Sequence, residues 1–343
     1  MTTPPSPSTI SPLSSRRLGS NGPVVSTIGL GCMGMSEFYG PSDETRSVQT
    51  LLHALDRGIT FIDTADVYGP FTNEELVGKT LAGRREGVVL ATKCGILRDP
   101  QDVTKRGVDN RPEYIRTACE ASLRRLKVET IDLYYLHRHN PESAPIEEAV
   151  GALAELVRAG KVRHIGLSEV NATTLARAHR VHPITALQSE YSLWSRDPET
   201  NGTLEACRKN GIAFVPYSPI GRGFLSGAIK RFEDFGVHDF RRNLPRFQGE
   251  NFAKNLEIVA ALERLATARG VTPVQLALAW VLAQGKDVVP IPGTTRIPHL
   301  DELLEATRIE LSDAEVREIS DAFPLNAAAG ERYYETMRPF MNR

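Results

Sequence analysis

Phe61-Ile62-Asp63-Thr64-Ala65-Asp66-Val67-Tyr68-Gly69 decides how the chain is read. A short apolar run ends abruptly in acids, a tyrosine and a glycine. Such a run reads as a buried strand that delivers its charged residues at one end. Asp63 closes the strand and Tyr68 follows in the loop. A carboxylate and a phenol brought together at a strand mouth point to proton chemistry.

Working outward, the run 24–31 is strand-like. It follows the turn signal Ser20-Asn21-Gly22-Pro23, a hairpin signal weakened by its proline. Residues 43–57 carry Val48, Leu51, Leu52 and Leu55 at helical spacing and stop at Gly58. The second strand is 59–63. Asn73 is placed to cap a helix running to Leu81. The third strand, 88–93, ends on Lys93. Residues 112–126 read as a helix with proline in its first turn. The fourth strand, 131–137, ends on His137, and a helix over 145–159 stops at Gly160.

The alternation goes on with strands at 165–168, 186–190 and 212–217, and helices at 172–180 and 203–210. A long connection, 218–251, is too long for an ordinary turn and reads as functional, its order linked to a ligand. Helices at 254–269 and 273–283 precede a last strand at 288–291. Its helix covers 297–307, and one more helix runs from Ser312 to Ala322. About eight parallel strands, each followed by a helix, make an α/β chain of the (β/α)8 TIM-barrel class, with a short N-terminal hairpin and extra C-terminal helices. A doubly wound open sheet would alternate too. It would not predict polar residues at the ends of so many strands, as at Asp63, Lys93, His137 and Ser168.

A chain of 343 residues holds one such barrel, and no linker divides it. The expected division is a disordered Ser/Thr/Pro lead-in over 1–15, the barrel over 16–323 and a tail over 324–343. The formal charge of −1 gives no reason to expect nucleic acid or an anionic membrane as partner. No apolar run is long enough to span a bilayer. The four cysteines Cys32, Cys94, Cys119 and Cys207 have no paired spacing, which argues against disulfides or a metal site and fits a reducing, cytoplasmic setting. A small-molecule substrate is the expected partner, and a homo-oligomer remains open.

Asp63, Tyr68, Lys93 and His137 make a constellation. A free phenol has a pKa near ~10 and is a weak acid at neutral pH. A neighbouring ammonium lowers it, and Lys93 is the candidate. Asp63 is the carboxylate available to hold that lysine. His137 is placed to donate to a carbonyl oxygen. Singly, each has a plain structural reading: a turn cap, a solvated strand end, a core histidine. At the ends of consecutive strands they form a device that protonates a carbonyl oxygen while something else attacks the carbon. With no metal-ligand spacing and no activated nucleophile in the sequence, a hydride from a nicotinamide is the expected attacking species.

The segment from Phe61 to Gly69, with Ala91-Thr92-Lys93 and Tyr134-Tyr135-Leu136-His137-Arg138, resembles the signature segments of the aldo-keto reductase superfamily. The likeness covers about Arg17 to Ala322. It implies a TIM barrel that holds NADPH extended, Tyr68 as proton donor, Lys93 and Asp63 as its tuning pair, and His137 as the group that orients the carbonyl. Glu190, Trp194 and the long connection resemble the longer members, such as pyridoxal reductases, perakine-type reductases and auxin-induced-type proteins.

Gly29-Leu30-Gly31-Cys32-Met33-Gly34 follows a strand, but no amphipathic helix comes directly after it and no ribose-binding acid stands at the right distance. It is a tight turn, not a dinucleotide fingerprint. In the resembling family, Gly31, Cys32 and Met33 pass close to the nicotinamide, with Asp63 beside them. Ser168 and Gln188 are candidates for its carboxamide. Glu169 replaces the usual asparagine, as in the pyridoxal-reductase-like members. Tyr217 is placed to stack on the ring. Ser218, Pro219, Ile220, Gly221 and Gly223 offer backbone for a pyrophosphate, and Arg222 offers charge. Ile291, Gly293, Thr294, Thr295 and Arg296 lead into a helix start, where free amides favour an anion. Thr294 and Arg296 suit an adenosine 2′-phosphate, hence NADPH. His299 and Glu302 are candidates to flank the adenine; Leu303 stands where the family often has asparagine.

Phe38, Tyr39, Tyr68, His137, Trp194 and Phe224 are expected to wall an apolar substrate pocket under a loop carrying Arg241, Arg242, Pro245, Arg246 and Phe247. The apolar tail (Tyr333, Tyr334, Met337, Phe340, Met341) is expected to dock on the barrel or on a partner. Two other classes are weighed: a slow regulatory subunit of the potassium-channel β type, and a metal-dependent hydrolase using His137 and His139. Undiminished activity in the presence of a chelator would exclude the second. Arg296→Ala is expected to weaken NADPH binding far more than NADH binding in fluorescence titration; equal weakening would remove the 2′-phosphate assignment.

Overall fold

The computed structural model describes residues 13–98, 106–335 and 341. Most of the expected lead-in, and Met337 and Phe340 of the tail, lie outside the described residues. Strands β1 (Ser15–Arg17) and β2 (Val24–Ser26) form the N-terminal hairpin. Then come β3 (Leu30–Gly31), α1 (Glu44–Asp56), β4 (Phe61–Asp63), α2 (Thr72–Leu81), β5 (Val89–Cys94), a second hairpin β6 (Ile96–Arg98) and β7 (Arg106–Val108), and α3 (Pro112–Leu126). The chain continues through β8 (Ile131–Leu136), α4 (Ile146–Arg158), β9 (Val162–Ser168), α5 (Ala172–Val181), β10 (Ile184–Glu190), α6 (Asp197–Thr200), α7 (Thr203–Lys209) and β11 (Ala213–Tyr217). Four helices end it: α8 (Gly249–Ala268), α9 (Pro273–Ala283), α10 (Ile297–Ala306) and α11 (Asp313–Ala322).

Seven parallel strands stand in the order β11-β10-β9-β8-β5-β4-β3. Residues 288–292 close the ring. Val289 and Ile291 donate to the carbonyls of Phe214 and Pro216 at 2.9 and 3.0 Å. On the other side, Pro290 and Pro292 accept from Gly29 and Gly31 at 2.9 and 3.0 Å. The eighth strand thus sits at its expected place, but the prolines lack the N–H groups that would complete its ladder to β3. The barrel is that of the (β/α)8 class.

The period of two along each strand sorts side chains between two cores. Phe61, Ala91, Leu133, Tyr135, Ala186, Ala213, Val215, Val289 and Ile291 fill the interior. Ile62, Leu90, Tyr134, Leu167, Leu187 and Phe214 face the helices. Leu18 and Val25 from the N-terminal hairpin join the interior cluster and plug one end. Arg16 fixes that plug by donating to the carbonyls of Leu282 and Gly285 at 3.0 and 2.7 Å.

Helix starts follow their capping chemistry. Asp43 caps α1, Asn171 caps α5, and Thr272/Gln275 and Ser312/Glu315 form capping boxes on α9 and α11. Asn73 is an exception to the expectation. Phe71, in a left-handed conformation, stands at the cap of α2. Asn73 lies in the first turn, accepting from Thr64 at 2.6 Å and donating to Cys32 O and Ser36 at 2.9 and 2.8 Å. A buried amide here ties the mouths of β3 and β4 together, which outweighs its capping preference.

The run 24–31 is divided between the plug hairpin and the first barrel strand, because the chain turns there from beneath the barrel into its wall. The hairpin after β5 was not expected; its strands are too short to show alternation. The connection 218–251 winds through short 3-10 turns, with Phe224, Phe235 and Phe247 packed against one another. No single described helix is long and apolar enough to cross a membrane.

Gly166 lies against the ring of Tyr135 inside the barrel: a Cβ there would stand 2.3 Å from Tyr135 Cδ1. Gly166→Ala is expected to lower unfolding free energy by roughly 1–3 kcal/mol in urea titration. An unchanged midpoint would show that the interior yields at this point.

Candidate active site

The same alternation that fills the interior sets a polar layer on top of it. Asp63 is two residues past Phe61, Lys93 two past Ala91, His137 two past Tyr135, Gln188 two past Ala186 and Tyr217 two past Val215. Each therefore continues an inward-facing row at the C-terminal end of its strand. Parallel pairing sets Asp63 beside Ala91, and Lys93 beside Tyr135.

Lys93 has no exposed surface. Its ammonium donates to Asp63 Oδ1, to Thr64 O at 2.7 Å and to Tyr68 Oη at 3.4 Å. Gln188 Nε2 donates to the other Asp63 oxygen at 2.8 Å. Burial pushes the Asp63 carboxyl up, and the Lys93 charge opposes it. Burial pushes the Lys93 amine down, and Asp63 opposes that. Each partner thus opposes the neutralisation that burial alone would favour.

The phenol departs from the expectation. Burial raises the Tyr68 pKa, the Asp63 charge raises it further, and Arg138 works against both. Burial is the largest of these effects and sets the direction. The hydroxyl is therefore firmly protonated. It is an acid that releases its proton only when strong negative charge develops nearby.

His137 is edge-on to Tyr68, with ring centroids 5.9 Å apart. Burial, then Arg138 and Lys93, lower its pKa far below the usual imidazole range, so the ring is neutral. Its Nδ1 has no hydrogen-bond partner among the described residues. His139 is separate, with Nε2 3.2 Å from Ala144 O.

A cavity of about 710 Å³ opens from this layer. Asp63, Tyr68, His137, Ser168 and Gln188 form its floor, and it runs past Tyr217 and residues 218–223 to 293–299. Gly31 and Gly293 line it where a side chain would not fit: a Cβ would stand 2.9 Å from Ile291 O at the first and 2.8 Å from Gly31 O at the second. Ser218 and Arg222 take left-handed φ values of 52° and 57°, which curl the backbone around the cavity. At the far end α10 starts without a side-chain cap. Met33, Pro219, Ile220, Gly223, Ile291, Thr294, Thr295, Arg296 and His299 also border the cavity.

Four expected cofactor residues do not border it. The Cys32 thiol is fully buried. Gly221 packs against the indole of Trp194. Glu302 accepts from Thr272 at 2.6 Å. Glu169 accepts from Arg332 at 3.0 and 3.2 Å and from Tyr217 at 2.9 Å. Arg222 does border the cavity, but its guanidinium is engaged by Glu190 at 3.0 Å and by Tyr333 at 2.9 Å.

On the substrate side, Phe38 and Tyr39 line the cavity as expected; Trp194 and Phe224 do not. They stack on each other with centroids 5.1 Å apart and pack into the core of the long connection. An aromatic residue in a loop looks the same in sequence whether it faces a pocket or fills a core. Tyr333 and Tyr334 of the tail, Phe240, Arg241 and Arg138 contribute to the wall instead. The tail is strapped down through Asn255, which donates to Ala329 O at 2.9 Å, and through the Arg332–Glu169 pair. The sequence marked Tyr333 only as part of an apolar tail expected to dock on the barrel or on a partner, and nothing local marked Arg332.

The aldo/keto reductase family model matches residues 27–323. The chain is 48% identical over 322 residues to the aldo-keto reductase yakc, marked NADP(+), of Schizosaccharomyces pombe, covering 93% of this chain and 94% of that one. It is 48% identical over 326 residues to probable aldo-keto reductase 1 of Glycine max, covering 94% and 93%. A glycerol dehydrogenase from Gluconobacter oxydans superposes with TM-score 0.81 at 32% identity, over 90% of this chain and 94% of that one. An aldo-keto reductase from Klebsiella pneumoniae in complex with NADPH gives TM-score 0.71 at 27% identity, over 94% and 99%.

Burial would raise the Glu169 carboxyl, but Arg332 and Arg138 outweigh it and hold it at about 2. A depressed carboxylate stabilises fully above its unfolded value of ~4.3, and that stabilisation is lost as pH falls toward 2. Urea unfolding is expected to lose on the order of 3 kcal/mol across that window through this group. Glu169→Gln is expected to flatten the slope; an identical slope in both proteins would remove the strap's charge dependence.

Proposed function

The chain belongs to the aldo/keto reductase family, and on that premise we propose that it is an NADPH-dependent reductase of aldehydes or ketones with Tyr68 as general acid. The observation that carries this is the Tyr68 hydroxyl, kept protonated beside the Lys93–Asp63 pair and His137 on the floor of a long cavity. Glu190 and the long 218–251 connection support the branch that includes pyridoxal reductases.

The residues fit the dinucleotide. Gly31 and Gly293 border the cavity where their backbones come too close for any side chain, and the left-handed turns at Ser218 and Arg222 curl backbone around the cavity. Tyr217 would lie against the nicotinamide, its ring held by bonds from its hydroxyl to Glu169 and Tyr333. Residues 218–223 would take the pyrophosphate, and Thr294 and Arg296 with the start of α10 would take the 2′-phosphate. Bound NADPH supplies the hydride that reaches the carbonyl carbon.

The protein's own residues do the rest. His137, neutral, donates a ring N–H to the carbonyl oxygen and fixes its position. Tyr68 holds its proton at Oη until charge develops on that oxygen, then transfers it. Lys93, anchored by Asp63, stabilises the phenolate that results. Burial of the layer excludes water and strengthens each of these interactions. The four buried free thiols fit a reducing, cytoplasmic location.

A panel of aldehydes and ketones, followed by loss of NADPH absorbance, tests the activity. Tyr68→Phe is expected to lower turnover by roughly 10²–10⁴-fold while NADPH still binds. A near-normal rate in this variant would take the proton-donor role away from Tyr68.

A further inference from the structure

Arg138 leaves β8 directly after His137 and is 5% exposed. Its Nη1 donates to His137 O at 2.6 Å and to Ser168 Oγ at 3.0 Å. Its Nε has no partner among the described residues. No carboxylate of the described residues pairs with it. The other buried arginines at this end of the barrel are paired: Arg222 with Glu190 at 3.0 Å, Arg332 with Glu169 at 3.0 Å, Arg246 with Glu190 at 3.5 Å. Glu169 is close enough to act on Arg138 electrostatically, but its oxygens are taken by Arg332, Tyr217 and the Glu190 amide.

The charges of the floor then sum simply. Lys93 and Asp63 cancel, His137 is neutral and Tyr68 is protonated. Arg138 lines the cavity beside them and leaves the layer with one net positive charge. A guanidinium cannot shed its proton to escape burial, so an uncompensated one is strongly disfavoured unless an anion meets it.

We infer that Arg138 is a specificity-determining residue: it is the counter-ion for an anionic group on the substrate. The site then favours carbonyl compounds that carry a carboxylate within reach of the reacting carbon. This rests on the reading of the protein as a carbonyl reductase. The substrate is favoured over the cofactor as source of the anion on two grounds. Arg138 adjoins His137 and acts on Tyr68, the groups around the reacting carbonyl. The cofactor's phosphates have their own cradles at 218–223 and 294–296, and a neutral carboxamide offers a dipole rather than a counter-charge.

Terephthalaldehydic acid and its methyl ester present the same aldehyde with and without the charge. The kcat/KM ratio of acid to ester is expected to exceed one and to fall about tenfold or more in Arg138→Met, mainly through KM for the acid. Arg138→Lys is expected to retain part of the preference. NADPH titration and the thermal midpoint of each variant show that the fold and cofactor site persist. Calorimetry with the alcohol products, acid and ester, reads the same preference without turnover. If the wild type reduces the ester but shows no preference for the acid in either assay, the inference fails and the reductase reading stands. If neither aldehyde is reduced but the acid alcohol binds at least tenfold less tightly to Arg138→Met, the anion site stands and the reductase reading fails. A ratio unchanged in Arg138→Met, or a loss confined to NADPH affinity, overturns the inference, the latter by giving Arg138 to the cofactor.

Discussion

The ion pair between Lys93 and Asp63 is the constraint on which the rest of the site depends. Both side chains are almost wholly buried. Removing either would leave an uncompensated charge in the barrel, at a cost of about 3–5 kcal/mol. The surroundings are arranged to keep both ionised: Thr64 O takes a second bond from the ammonium, and Gln188 supplies a donor to the free carboxylate oxygen. The amine is thereby fixed in reach of Tyr68. The pair's main electrostatic effect on Tyr68 is not to acidify it at rest. Burial, with the Asp63 charge behind it, keeps the proton on. In the proposed reaction the pair's contribution would come when the phenolate forms, since the ammonium is already in place and needs no reorganisation.

The barrel makes such a pair possible. Strands that alternate inward and outward fill the interior with Phe61, Leu133, Tyr135, Val215 and their neighbours, then present one more inward position each at the mouth. The apolar layer beneath excludes water from below. Closure by residues 288–292, whose prolines accept but do not donate toward β3, brings Gly293 against Gly31 and opens the groove that leads away from the floor. A side chain at either glycine would block that approach.

Above the floor, the walls are held by a second charged network. Glu169 and Glu190 draw in Arg222, Arg246 and Arg332, and Tyr333 bridges Tyr217 to Arg222. The tail, the long connection and two strand ends thus share one cluster of charges. Arg138 stands next to this network without an acid of its own, which gives the floor its positive character.

The sequence alone determined the order of most strands and helices, the barrel class and the four polar residues that gather at its mouth. The reason is that strand ends in a parallel barrel are local events: an apolar run, a polar stop, and a period of two that fixes which side of the wall the stop faces. The glycines beside the groove were legible for the same reason, since backbone freedom is written in residue type; the left-handed turns at Ser218 and Arg222 were not, because neither residue type signals them. Only the tertiary structure decided what depends on distant partners. Trp194 and Phe224 could have faced the cavity or the core; packing with Phe247 and Phe252 took them into the core. Glu169 could have met a ligand; Arg332, far along the chain, claimed it. The sign of the Tyr68 shift, the place of Tyr333 in the wall and the isolation of Arg138 follow from burial and long-range charge, quantities that exist only once the ring has closed.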